Sequence, residues 1–258
     1  MIKNKKILSV VLARAGSKGI PLKNVKLLLD KPLFQWSILA SLNCKYVDLT
    51  VVSSNCPYVR RSYFNLLKEI SKSENANMVS SKLYWIDRPD KYATDISKNE
   101  ETLIHAYRKV VRSLNFDPDI IVTLQPTSPC RLNRLLEKCI EKYYEGEYDS
   151  LLTATKDTPF IWRKINREWK YTVDKNHPCN RKMRQEFEDN KYNSEFLWHD
   201  CGNIFLTDIR VLLGTECRIG EKPYIYTIDG LNGLQIDTEF DFNLIENMIK
   251  SYNLESLV

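Results

Sequence analysis

The chain has 258 residues, enough for one large domain or two small ones. Its 43% hydrophobic and 28% charged residues place it in the globular range and exclude a disordered chain. A balance of 38 basic and 33 acidic residues, net +5, gives no sign of the concentrated basic face of a nucleic-acid binder; it suits an enzyme for anionic substrates.

The N-terminus carries Lys3, Lys5 and Lys6 ahead of the apolar run Ile7 to Ala13. Arg14 breaks that run and no small-residue cleavage site follows, so a buried strand is expected rather than a signal peptide. Pro32 opens a helix to about Asn43, with Leu33, Trp36, Ile38 and Leu39 as its apolar positions. Leu49 to Val52 reads as a second buried strand, followed by a helix near Val59 to Ile70. The stretch from Asn77 to Ile96 reads as irregular. Ser97 and Glu100 have capping-box spacing at the head of a helix whose face is Leu103, Ala106, Tyr107, Val110, Val111 and Leu114. Asp119 to Leu124 is a further strand, then come a helix from about Leu132 to Tyr144 and a strand at Ser150 to Thr155. Residues 156–200, rich in charge and aromatics, break the alternation and read as an excursion over the site or onto another subunit. Cys201 to Leu206 returns to the sheet, Tyr224 to Ile228 is a late strand, and Thr238 with Asp241 can cap a last helix through Lys250.

Strands alternating with helices imply a mainly parallel sheet covered on both faces, a three-layer α/β/α arrangement with ligands bound beyond the carboxyl ends of the strands. One domain spanning 1–258 is expected, with 156–200 as its excursion. Seven cysteines, an odd number with no CxxC pair, read as free thiols in a reducing compartment. The three histidines have no zinc-type spacing. No apolar segment approaches the ~20 residues of a membrane span, so a cytoplasmic protein with neither membrane nor nucleic-acid partner is expected.

The most informative segment is Arg14 to Asn24, directly after the first strand. Gly16 and Gly19 allow a tight turn and close ligand approach, and backbone N–H groups in such a turn can cradle phosphate oxygens. Arg14, Lys18 and Lys23 add three positive charges. Neither GxxxxGK[ST] nor GxGxxG is present. The same residue types also fit a solvated basic turn.

The stretch Leu12 to Asn24, LARAGSKGIPLKN, resembles the signature of the acylneuraminate cytidylyltransferases, the CMP-sialic acid synthetases and their relatives. Four further blocks follow in the family's order: Arg88-Pro89 with Ala93-Thr94-Asp95, LQPTSPCR from Leu124 to Arg131, Cys201 to Phe205, and IDTEFD from Ile236 to Asp241. The resemblance implies a Rossmann-like nucleotidyltransferase fold. It also implies transfer of CMP from CTP to the anomeric hydroxyl of a nine-carbon acidic 2-keto sugar of sialic, pseudaminic or legionaminic type, with release of pyrophosphate. An eight-carbon ulosonic acid as acceptor and a non-catalytic nucleotide-binding homologue are the alternatives.

Carried over residue by residue, the resemblance assigns Leu12, Ala13, Arg14, Gly16, Ser17, Lys18, Asn24 and Arg88 to the nucleotide. Arg14 and Lys18 would hold the triphosphate and stabilise the leaving pyrophosphate. Gln125 would contact the sugar, although it also fits as a turn residue before Pro126. Mg²⁺ (or Mn²⁺) is implied as cofactor with Asp237 as its ligand, and Asp241 is read as a helix cap. The family's usual DIDTELD has an acid where this chain has Gln235. His199 stands where the sialic acid enzymes have an arginine, in a His-Asp-x-Gly arrangement closer to the pseudaminic acid branch; a structural histidine is the other reading. Arg184, in an RQ element, is the candidate ligand for the sugar carboxylate. The excursion implies a homodimer.

Overall fold

The computed structural model describes residues 2, 4–72, 80–157, 162–166, 168–171 and 197–252. Strand β1 (Ile7–Leu12) leads through the basic loop to two short strands, β2 (Leu27–Leu28) and β3 (Lys31–Pro32), and to helix α1 (Leu33–Leu42). Then come β4 (Leu49–Ser54), α2 (Pro57–Ile70), β5 (Leu83–Asp87), α3 (Asn99–Leu114) and β6 (Ile120–Leu124). The second half holds α4 (Leu135–Glu145), β7 (Ser150–Asp157), β8 (Trp162–Ile165) and β9 (Glu168–Tyr171). It ends with β10 (Leu197–Asp208), α5 (Ile209–Thr215), β11 (Pro223–Ile228) and α6 (Glu239–Ser251).

Seven strands form one sheet in the order β11-β7-β10-β6-β1-β4-β5. The pairs β6–β1, β1–β4, β4–β5 and β11–β7 are parallel; β10 runs antiparallel to both of its neighbours. Strand β1 shows why the sheet needs cover on both faces. Ile7 and Val11 pack into one apolar layer with Phe34, Val59, Tyr63 and Ile140, whereas Leu8 and Val10 pack into the other with Leu103, Ala106 and Val110. The period of two along the strand thus feeds two helical layers. The helices meet them with one face each: Val59, Tyr63 and Leu66 of α2 are buried, as are Leu103, Ala106 and Val110 of α3. Burying one such side chain contributes roughly 1.5–3 kcal/mol.

A third apolar cluster ties the basic loop to the end of the chain. Ile20 and Trp36 pack with Ile236, Phe242, Ile245 and Ile249. Helix α6 is started as expected by a reciprocal capping box, the Thr238 hydroxyl accepting from the Asp241 N–H and the Asp241 carboxylate accepting from the Thr238 N–H.

Two local expectations fail, and one helix was not expected. The stretch from Asn77 to Ile96 holds β5, which alternates poorly in sequence because it sits at the sheet edge. Helix α3 starts after Lys98 with no side-chain cap; Ser97 instead pairs with Thr94, closing the loop in front of it. Helix α5, seven residues capped by Asp208, has too short an apolar pattern to be read from sequence. Part of the proposed excursion is sheet: Thr155 to Asp157 and Leu197 to Asp200 prolong β7 and β10 as a pair, so His199 lies opposite Thr155. The six cysteines among the described residues are free thiols. No helix of the described residues is long and apolar enough to cross a membrane.

Candidate nucleotide site at the switch point of the sheet

The chain reverses its winding direction at β1, whose neighbours β4 and β6 both follow it in the chain but lie on opposite sides of it in the sheet. A crevice at the carboxyl ends of the strands is the expected outcome of that reversal. There, a cavity of about 410 Å³ is lined by Leu12, Arg14, Ser17, Lys18, Gly19, Lys23, Asn24, Arg88, Asn99, Gln125, Pro126, Thr127 and Asp237. Residues far apart in the chain meet because β1, β5 and β6 all end on this side, and because Ile236 N–H donates to Thr127 O at 2.8 Å, pinning the 236–237 segment to the loop after β6.

The basic loop is held by its backbone. Ala13 N–H donates to Ser53 O at 3.1 Å, Ala15 N–H to Asn55 Oδ1 at 2.9 Å, and Asn24 Nδ2 to Arg14 O at 2.9 Å. Asn24 therefore fixes the loop as well as lining the cavity. Gly16 takes a left-handed φ of 80°. Gly19 is needed for close approach: a Cβ there would stand 2.2 Å from the carbonyl oxygen of Asp237. Leu12 lines the cavity from the strand end, and Ala13 is fully buried behind it.

The charges are arranged in two sets. Asp95 accepts from Arg14 Nη2 at 2.9 Å and pairs with Lys18 Nζ at 2.8 Å. Lys18, with Arg14, holds the Asp95 carboxyl below the usual carboxylate range. The Lys18 side chain remains 78% exposed, free to turn toward an anion. On the other side, Lys23 is nearly buried; its ammonium donates to Ile236 O at 2.7 Å and to Asp237 Oδ1 at 3.3 Å. Arg88 is buried, donates to Tyr92 O through Nε and Nη2, and so braces the loop that carries Asp95. Burial, with the nearby Arg14 charge, pushes its guanidinium down to about 10.

The sequence reading overlooked the roles of Lys23, Asn99, Arg131 and Asn203. Arg131, the last residue of LQPTSPCR, is deeply buried; it donates to Ser37 Oγ at 3.1 Å, Gln125 O at 3.0 Å and Asn203 O at 2.9 Å. Burial pushes it down to about 9. Asn203 Nδ2 donates to Cys130 O at 2.8 Å and Asn232 O at 2.7 Å. These two residues lock the end of β6 to β10, which sets where Gln125 stands. Nothing in a single sequence separates such internal clamps from surface polar residues; for Lys23, the only signal was its place as the third base of the loop. Cys130 packs next to Arg131 and burial pushes its thiol up to about 12, which makes it a core residue rather than a nucleophile.

Gln125 and Asp237 both line the cavity, as expected. Asp241 faces the helix it caps. His199 is exposed on the prolonged β7–β10 pair and does not line the cavity. Arg184 lies outside the described residues. Among the described residues no group of three His, Cys, Asp or Glu side chains could enclose a metal ion.

The fold is a three-layer α/β/α arrangement with a cavity lined by basic and polar side chains at the switch point of its sheet. A family profile described as Cytidylyltransferase matches residues 8–83. The chain is 26% identical over 258 residues to the N-acylneuraminate cytidylyltransferase of Escherichia coli O18:K1:H7, covering 98% of this chain and 54% of that protein. It is 24% identical over 256 residues to the CMP-N,N'-diacetyllegionaminic acid synthase of Legionella pneumophila, covering 98% of this chain and 100% of that protein. Among solved structures, CMP:2-keto-3-deoxy-manno-octonic acid synthetase complexed with CTP superposes with a TM-score of 0.63 at 14% identity, covering 96% of this chain and 99% of the other. The chain is thus similar to cytidylyltransferases along most of its length. It spans about half or less of the length of the curated N-acylneuraminate cytidylyltransferases that it matches.

Proposed function

We propose that the chain transfers CMP from CTP to the anomeric hydroxyl of a nine-carbon acidic 2-keto sugar and releases pyrophosphate. The observation that carries this reading is the meeting of Arg14, Lys18, Arg88, Gln125 and Asp237 around one cavity at the switch point of the sheet. Three of these are cations, as a triphosphate requires, while Gln125, at the end of β6, offers a neutral contact for a hydroxylated acceptor. The relative from Legionella, matched along its whole length, is named for a sugar of this kind.

In the proposed reaction the sugar hydroxyl attacks the α-phosphorus of CTP in line. The new C–O–P linkage forms as the bond to the β-phosphate oxygen breaks, the pyrophosphate leaves with that electron pair, and the hydroxyl proton passes to solvent. Catalysis comes from positioning and from stabilising the charge that builds on the leaving group. Lys18 and Arg14 do the second, exchanging Asp95 for the phosphates. Ser17 and the loop backbone hydrogen-bond the phosphate oxygens, Asn24 keeps the loop in shape, and Arg88 borders the nucleotide.

A single carboxylate, Asp237, faces the cavity and its side chain is 70% exposed beside the place for the phosphates. That donor set fits Mg²⁺ or Mn²⁺, which take few protein oxygens when phosphates supply the rest. The ion would add positive charge at the leaving phosphates. We assign a homodimer contact to the prolonged β7–β10 pair, where Leu197 and Trp198 are exposed apolar side chains, and we place the enzyme in the cytoplasm.

The test is pyrophosphate release from CTP with a panel of nine-carbon acidic keto sugars and an eight-carbon ulosonic acid, in Mg²⁺ and in Mn²⁺. Turnover of at least one nine-carbon sugar in preference to the eight-carbon acid is expected. No turnover of any of them, with CTP still bound, would establish a non-catalytic homologue instead.

A further inference from the structure

The register between β10 and β7 shifts between Asp200 and Phe205, and Gly202 sits in the resulting bulge with a left-handed φ of 61°. A Cβ built on Gly202 would stand 2.9 Å from Gln125 Oε1 and 3.0 Å from Gln235 Nε2. Two amide side chains therefore close on one backbone point, and glycine is the residue that leaves room for both. Gln125 lines the nucleotide cavity, and Gln235 stands next to it on the β10 side.

Among the described residues neither amide is satisfied. Gln125 Oε1 has only a 3.5 Å contact from Thr127 Oγ1, and Gln235 has no hydrogen-bond partner among the described residues. Two half-buried amides offer donors and acceptors together, whichever way each is turned. Buried polar groups normally find partners, so a pair left open beside a ligand cavity is poised for a ligand that has both kinds of group.

The segment around Gln235 divides the work. Ile236 is fully buried, with its N–H held by Thr127 O. Asp237 meets Lys23 and packs its carbonyl on Gly19, at the phosphate end. Gln235 instead approaches Gly202, which Gln125 also approaches.

From this geometry we infer that Gln235 is an acceptor-specificity residue, forming with Gln125 an amide pair that hydrogen-bonds neutral hydroxyl or acylamino groups of the acidic sugar, and that it takes no part in holding the metal. This rests on the reading of the cavity as a CTP:acidic-sugar site. An amide at position 235 adds what a carboxylate lacks: it can donate to the carbonyl or hydroxyl oxygens of the acceptor as well as accept from its O–H and N–H groups.

The experiment is steady-state kinetics of Gln235→Glu and Gln235→Ala with N,N'-diacetyllegionaminic acid as acceptor, measuring separately the KM for the sugar, the KM for CTP and the half-saturating Mg²⁺. Melting curves for each variant control for folding. Loss of one ligand hydrogen bond is worth about tenfold. Both variants should raise the sugar KM by about that factor or more. The KM for CTP and the Mg²⁺ requirement should stay at wild-type values. If the sugar KM is unchanged, or if Gln235→Glu alters the Mg²⁺ requirement alone, the inference is overturned while the cytidylyltransferase reading stands. Absence of wild-type turnover with any acidic sugar would overturn both.

Discussion

The two halves of the crevice are built differently. The half assigned to the nucleotide rests on the ends of β1 and β5 and on the β6 loop, and several side chains there are anchored by backbone: Asn24 on Arg14 O, Arg88 on Tyr92 O, Arg131 on Gln125 O. The acceptor half begins at the β10 bulge and runs out along the prolonged β7–β10 pair, where Leu197, Trp198 and His199 are exposed. In the proposed reading the triphosphate contacts ride on an exposed loop anchored to the sheet, whereas the acceptor contacts lie toward its projecting side. A site divided in this way can keep one nucleotide chemistry while its acceptor changes.

The sharpest way to break that contrast is to remove a charge from the nucleotide half without touching its packing. Lys18→Ala should lower kcat/KM by on the order of 10²-fold or more, with the melting temperature unchanged because the side chain is exposed. A variant with near-normal kcat/KM would refute the role assigned to Lys18. The converse variant, Arg131→Met, removes no substrate contact but takes the Arg131 donor from the Asn203 carbonyl and leaves the Gln125 carbonyl to Ser128 N–H and Ser37 Oγ. It should cost roughly 1–3 kcal/mol for the unsatisfied Asn203 carbonyl, read as a lower melting temperature, and raise the KM for the sugar through Gln125 more than the KM for CTP. Unchanged stability would mean that the Asn203 carbonyl finds another donor.

The same division explains what the sequence revealed. The strands β1, β4 and β6 were legible because a strand buried on both faces is a continuous apolar run, and the basic loop because glycine and charge follow directly on such a run. Strand β5 was not, since an edge strand with polar residues carries no such pattern. The ligand candidates Arg14, Lys18, Gln125 and Asp237 do converge, as their positions after strand ends implied. The clamps Arg131 and Asn203 were hidden, because their partners include backbone carbonyls 29, 72 and 73 residues away in the chain. The contact between Gln235 and Gly202 depends on a bulge in β10, which local sequence does not specify.

A smaller effect belongs to the helix that backs the phosphate loop. Thr238→Ala removes half of the capping box of α6 and should cost about 1 kcal/mol, with kcat/KM within twofold of wild type. Hydrogen bonding from Thr238 N–H holds the Asp241 carboxyl below its usual range. The stability this adds is therefore fully present above the ordinary carboxylate pKa of about 3.9 and is lost as pH falls through the lowered value. Melting curves of the wild type and Asp241→Asn should differ at pH 7 and converge in acid; a difference that persists below pH 2 would deny the charged cap its role.

The central claim is that the loop after β1 holds the triphosphate, with Lys18 and Arg14 exchanging Asp95 for phosphate. A crystal structure with CTP tests it most directly. The account predicts the triphosphate over Gly16 to Gly19, the Lys18 ammonium on phosphate oxygens, and the Lys18–Asp95 pair of 2.8 Å broken. CTP bound elsewhere, or bound in this cavity with that pair intact, would contradict it.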